Sequence, residues 1–193
     1  MKKITLLFIL CLTITSLSYS QSKFGQKKTI QEVIGHNISG EIEGLQDTSV
    51  MLAYYFGGKQ YATDTSEVID GKFSFKGEKE LQGGMYLVVL ANQQYFDVIV
   101  SEQHFSFSTK LDDLIGSMAF KNSKENPPFY EYLNFITQMQ KEVTPIRKQL
   151  ETAEGDSKKT LQEKASAIDV KVKKFRSDFM TSNKNKFFSK IVT

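Results

Sequence analysis

Tryptophan is absent from the 193 residues, cysteine occurs once (Cys11), and there are only two histidines and three prolines. Each scarcity narrows the chemistry. A single thiol makes neither an intrachain disulfide nor a Cys-x-x-Cys centre. His36 and His104 have no second His, Cys or carboxylate at ligand spacing, so they read as surface or strand-end histidines rather than metal ligands. No phosphate loop, dinucleotide fingerprint or nucleophile elbow occurs. The low proline count, with 40% hydrophobic residues and fifteen phenylalanines, argues against a disordered chain. It leaves enough apolar material for one good-sized domain, or a domain with an appendage.

The start of the chain reads as a secretory signal peptide over residues 1–20. Lys2-Lys3 form the charged region, Ile4 to Leu17 the apolar run, and Ser18-Tyr19-Ser20 the small-residue site, with cleavage after Ser20. The run falls short of the roughly 20 apolar residues that span a bilayer. Cys11 lies inside it with no small residues before it, which argues against a lipid-attachment site. The expected location is outside the cytoplasm, in the periplasm or cell envelope, with no membrane span after cleavage. The mature chain then has no thiol. Losing Lys2 and Lys3 leaves 23 basic against 22 acidic residues, net +1, so no nucleic-acid partner is expected.

Residues 21–37 are a polar lead-in in which Ile30 to Ile34 is the one candidate strand. Regular alternation then begins, and residues 38–121 read as an antiparallel β-sandwich or open barrel. Ile38, Gly40 and Ile42 share one face; Val50, Leu52 and Tyr54 alternate with Met51, Ala53 and Tyr55 up to Gly57-Gly58. A third strand covers about Lys59 to Thr65. Asp70-Gly71 signals a hairpin with a type I′ turn, and Phe73 and Phe75 face opposite to Lys72, Ser74 and Lys76. Met85 to Leu90 is apolar without a break, as in a strand covered on both sides. Tyr95 to Val100, Phe105 with Phe107, and a short strand near Met118 to Phe120 complete the set.

The period then changes from two to three and four. Asn126-Pro127-Pro128 reads as a capped helix start, with Asn126 as the cap. Phe129, Tyr132, Ile136, Met139, Val143, Ile146 and Leu150 form one seam; Leu161, Ala165, Ile168, Val172, Phe175 and Phe179 form a second after the Glu154-Gly155-Asp156 turn. Residues 126–182 are therefore an antiparallel helical hairpin, each arm about 40 Å long at ~1.5 Å per residue. Pro145 lies inside the first arm and predicts a kink. Residues 185–193 begin a third amphipathic helix whose Phe187, Phe188, Ile191 and Val192 need a surface to cover. That surface is either the sandwich or a further domain. The fold class is α+β.

The remaining polar clusters have ordinary explanations. Asp112-Asp113 marks a loop or helix start, and Asp64, Glu67 and Asp70 surround the hairpin without calcium-loop spacing. Asn37-Ile38-Ser39 matches a glycosylation sequon. The basic run Lys171 to Arg176 is interrupted by the seam residues Val172 and Phe175, as on a solvated helix face. Tyr54, Tyr55, Tyr61, Tyr86 and Tyr95 could stack a glycan or peptide, but cross-strand packing explains the same pattern and is the better reading. No catalytic, cofactor-binding or metal-ligating residue is assigned, and no cofactor is expected.

Ile38 to Gly44, Asp64-Thr65, Asp70 to Gly77 and Lys121 to Asn126 together resemble a family of envelope proteins. These carry an N-terminal β-domain of unknown function and a helical linker ahead of a TlpA-like thioredoxin domain. The resemblance runs from Ile38 to about Thr193. It implies thiol–disulfide interchange for the family, carried by a Cys-x-x-Cys that this chain lacks, so no catalytic residue transfers and the chain is not expected to be an enzyme. The expected function is a non-catalytic module that positions or dimerises a thioredoxin-like domain in cis or in trans. A homodimer through the helical hairpin or C-terminal segment would serve the same end. The other reading is a stand-alone envelope protein binding a peptide or glycan on a sandwich face or edge.

Overall fold

A computed structural model describes residues 35–190. The expected signal peptide at 1–20 with Cys11, the lead-in up to residue 34 with its candidate strand, and Ile191 and Val192 lie outside the described residues. The elements are β1 (His36–Glu43), β2 (Thr48–Phe56), β3 (Lys59–Val68), β4 (Lys72–Gly77), β5 (Gly84–Leu90), β6 (Tyr95–Val100), β7 (His104–Lys110) and β8 (Ala119–Lys121). Two helices follow, α1 (Asn126–Leu150) and α2 (Gly155–Ser182), then a single 3-10 turn at Phe188–Lys190.

The strands form two four-stranded sheets, β4-β1-β7-β8 and β3-β2-β5-β6, packed as an open sandwich. Pairing is antiparallel except for β1 and β7, which run parallel. Alternation does the sorting. Ile38, Ile42, Phe73, Phe75, Phe105 and Phe107 point inward from the first sheet and meet Val50, Leu52, Val88, Phe96 and Val98 from the second. Phe96 and Phe107 touch edge to face across the gap, 5.5 Å between ring centroids.

The Asp70-Gly71 turn forms, with φ of 50° and 73°, and Ile69 and Lys72 exchange main-chain hydrogen bonds of 3.0 and 2.9 Å. It does not make an ordinary hairpin. Past this bridge β3 stays with β2, while β4 pairs with β1 in the other sheet. The Gly71 carbonyl accepts the Ile42 N–H at 2.8 Å, which draws the chain towards β1. The turn is therefore the corner that joins the two sheets. Across the sandwich the gap between β8 and β6 is covered by the base of α1, where Phe120 and Tyr130 lie 5.0 Å apart.

Met85 to Leu90 has the two-sided cover its composition implies: Tyr86, Leu87 and Val88 are buried in succession. One side is the sandwich core. On the other side of this sheet, Met85 and Ile99 pack with Phe129, Tyr130, Phe179 and Phe188. The helices form the antiparallel pair, with Met139, Val143 and Ile168 buried in the outer part of its seam. Asn126 is not the cap of α1. Glu125 holds that position without a side-chain capping bond, and the Asn126 amide is turned onto β6 instead. α1 continues through Pro145 to Leu150. The expected third helix is replaced by the 3-10 turn, and Phe188 is fully buried against Phe129 and Phe179, leaving Phe187 partly exposed. A short segment with one deep anchor gains more from docking than from extending a helix in water.

Candidate functional site

The outer face of the β4-β1-β7-β8 sheet carries a broad concavity. Register places Ser74, Ser39, Ser106 and Lys121 in one cross-strand row, and Lys72, Glu41, Ser108 and Ala119 in the next. Small side chains keep the middle of this face low. Ser66, Glu67 and Ile69, where β3 runs into the corner, line the β4 side, and the resulting trough holds about 620 Å³. Its floor depends on Gly40: a Cβ there would lie 2.4 Å from Phe73 Cζ and 2.7 Å from Phe107 Cζ. Only glycine lets both rings close beneath the strand.

The trough mixes polar with apolar lining and is balanced in charge. Lys72 Nζ stands 3.9 Å from Glu41 Oε1, both well exposed, so the pair contributes little to stability. Ser66 Oγ accepts the Ser74 N–H at 3.1 Å and donates to the Glu67 carbonyl at 3.2 Å. Ser39 donates to Asn37 Oδ1 at 3.3 Å. Among the described residues the hydroxyls of Ser74, Ser106 and Ser108 have no protein partner. Hydrogen-bonding capacity is thus presented to solvent in a fixed array. Alternate serines at 106 and 108 were visible as an outward face; their alignment with Ser39 and Ser74 depends on the parallel β1–β7 pair, which no local pattern announces.

The candidates read from sequence scatter. His36 Nδ1–H donates to the Lys79 carbonyl at 2.7 Å, fixing the tautomer, and its buried Nε2 has no partner. His104 opens β7 opposite Asn37. Asp113 accepts the Gly116 N–H at 3.0 Å in a turn, and Asp64, inside β3 beside the irregularity in its pairing with β2, accepts the Thr65 N–H at 2.7 Å. Asp70 occupies the corner, with its N–H donated to Asp47 at 3.0 Å; Glu67 alone of that trio lines the trough. Among the described residues no group of three or more His, Cys, Asp and Glu could hold a metal ion. Lys174 pairs with Asp178 at 2.6 Å on the exposed helix face. No described helix is long and apolar enough to cross a membrane.

The five tyrosines do not make one platform. Tyr61 stacks on Tyr54 at 5.7 Å, Tyr54 lies 6.0 Å from Tyr86, and Phe56 joins at 6.5 Å from Tyr61. This ladder leads out of the core to the β2–β3 tip, where Phe56 is 71% exposed. Tyr55, on the other side of β2, bonds Gln60 at 2.8 Å, and Tyr95 belongs to β6. Burial raises the pKa of Tyr86, with Tyr54 adding to it. Beneath α1, burial also raises Asp97, and Tyr130 is pushed up by burial first and by the Asp97 charge second. The Tyr130 hydroxyl donates to the Asp97 main-chain carbonyl at 2.8 Å, a packing bond rather than an acid–base pair.

Residues 36–129 match the family described as Domain of unknown function (DUF4369). The match takes in all eight strands and the first turn of α1. No curated protein and no solved structure matches the chain.

Proposed function

We propose that the chain is a non-catalytic module of the cell envelope that positions or dimerises a thioredoxin-like domain, in cis or in trans, within a TlpA-like thiol–disulfide system. One observation carries this reading. The helical pair is anchored on the sandwich by Phe129, Tyr130, Phe179 and Phe188, and among the described residues its outer seam of Met139, Val143 and Ile168 packs with Phe135, Ile146, Ala165 and Val172 of the same two helices. From Met139 to Leu150 that is an arm of roughly 18 Å at ~1.5 Å per residue. A two-helix arm standing on a rigid base suits spacing and docking. The likeness of Asp70 to Gly77 and its neighbours to the β-domain of such proteins supports the choice of partner, and the charged start of the chain supports export. The test is sedimentation of the chain with a TlpA-like thioredoxin domain. A complex that is lost in a Val143→Asp variant supports the proposal; no association, or association indifferent to the arm, overturns it.

A second reading, a stand-alone envelope protein that binds a peptide or glycan, draws on a different feature. The trough presents three serine hydroxyls in a fixed array that have no partner among the described residues.

A further inference from the structure

We infer that the trough on the outer face of the β4-β1-β7-β8 sheet is a binding site for an uncharged glycan, an inference that rests on the second reading above. Three features select this class over the peptide that reading also allows.

The first is which groups the face offers. Main-chain donors and acceptors within the sheet are engaged in its ladders, so a ligand on the face meets side chains alone. Extended peptides are usually captured by strand addition, which needs a free edge. Here the edges are poor. β8 has only three residues, and the Ser74 N–H on β4 is already taken by Ser66 Oγ at 3.1 Å.

The second is the chemistry of those side chains. The Ser74, Ser106 and Ser108 hydroxyls can each donate and accept, and the Glu41 carboxylate can accept from two ligand hydroxyls. A sugar ring has matching hydroxyls at its rim. Ile69, 63% exposed where β3 meets the corner, supplies an apolar ledge for the C–H face of a ring.

The third is charge. Glu41 and Glu67 are balanced by Lys72 and Lys121, so the trough attracts neither an anionic nor a cationic polymer. Its volume of about 620 Å³ lies within the ordinary range for small-ligand sites, roughly 300–1,000 Å³.

The test is two-dimensional NMR of the chain titrated with cellohexaose, chitohexaose and maltohexaose in turn, and with a mixture of unstructured neutral peptides. At least one oligosaccharide should shift the amides of Ser39, Ser106 and Ser108. Ser106→Gln should then weaken binding about tenfold, as expected for crowding out one to two hydrogen bonds, with the melting temperature unchanged. Ser108→Gln, at a more exposed position, provides the same test should Ser106→Gln disturb folding. Shifts in the trough caused by peptides and not by sugars overturn the glycan assignment and leave the binding reading standing. Sugar shifts confined to Phe56 and Tyr61 at the β2–β3 tip overturn the site. Silence in the trough with every probe overturns both the inference and the reading it rests on.

Discussion

The side-chain amide of Asn126 grips the main chain of Ile99 from both sides: Oδ1 accepts the Ile99 N–H at 2.7 Å and Nδ2 donates to the Ile99 carbonyl at 2.7 Å. Ile99 lies on β6, the edge of its sheet, so the amide supplies the two bonds that a further strand would make. Both residues are wholly buried. Gln103 repeats the device on Leu81, with bonds of 2.8 and 3.0 Å. The first clamp seats the helical arm, because Asn126 is the first residue of α1.

Asn126→Ala should cost about 2–6 kcal/mol, since it leaves two buried main-chain groups without partners at ~1–3 kcal/mol each. Asn126→Asp keeps the acceptor but loses the donor and buries a charge, so it should be no milder. Denaturant unfolding measures both. A midpoint equal to wild type in Asn126→Ala would mean that the clamp adds nothing.

Val143→Asp should cost several kcal/mol of arm stability by placing a charge in the apolar seam with Met139 and Ile168. Lys174→Glu exchanges an exposed i,i+4 pair for a like-charge pair with Asp178 and should cost only about 0.5–1 kcal/mol. Circular dichroism at the helix band distinguishes them: helicity should fall in the first variant and hold in the second. Equal, small effects would contradict the packed arm.

Gly40→Ala should destabilise the sandwich by about 1–3 kcal/mol, because the new methyl would meet the Phe73 and Phe107 rings at 2.4 and 2.7 Å. Thermal unfolding reads the change. A neutral result would show that the rings can move aside and that the floor of the trough is not set by this glycine.

Phe188→Ser should cost about 3–5 kcal/mol, the usual range for deleting a buried phenylalanine ring, whereas Phe187→Ser should cost far less because Phe187 is 38% exposed. Thermal melts of the single variants decide between a docked segment and a free one. Equal melting temperatures for the two would contradict the docking of Phe188.

Asp97→Asn should raise stability at neutral pH. Burial raises the Asp97 pKa above its ordinary 3.8, so the folded state holds its proton more tightly than the unfolded state. Stability therefore falls as pH rises from near 3.8 through the raised folded value, and stays lower above it. The advantage of the Asn variant should be present at pH 7 and vanish below the unfolded pKa. Melting curves of both proteins across that window test the sign; an advantage that grows on acidification would refute it.

Sequence alone determined the strands, the two long helices and the faces they bury, because these depend on short-range periodicity, though not the 3-10 turn that replaces the expected third helix. Phe73 and Phe75 must point away from Lys72, Ser74 and Lys76 wherever their strand goes, and positive φ at Asp70 and Gly71 follows from local backbone preference. The helical seams were legible for the same reason. Tertiary structure decided which strand lies beside which. The Asp70-Gly71 turn is the same object in a hairpin or at a corner between sheets, and only the pairing of β4 with β1 makes it a corner. Asn126 looks like a cap locally and becomes an edge clamp because β6 lies beside it. The trough is likewise non-local: three strands separated in the chain must come into register before Ser39, Ser74 and Ser106 share a row, and no spacing along the chain encodes that alignment.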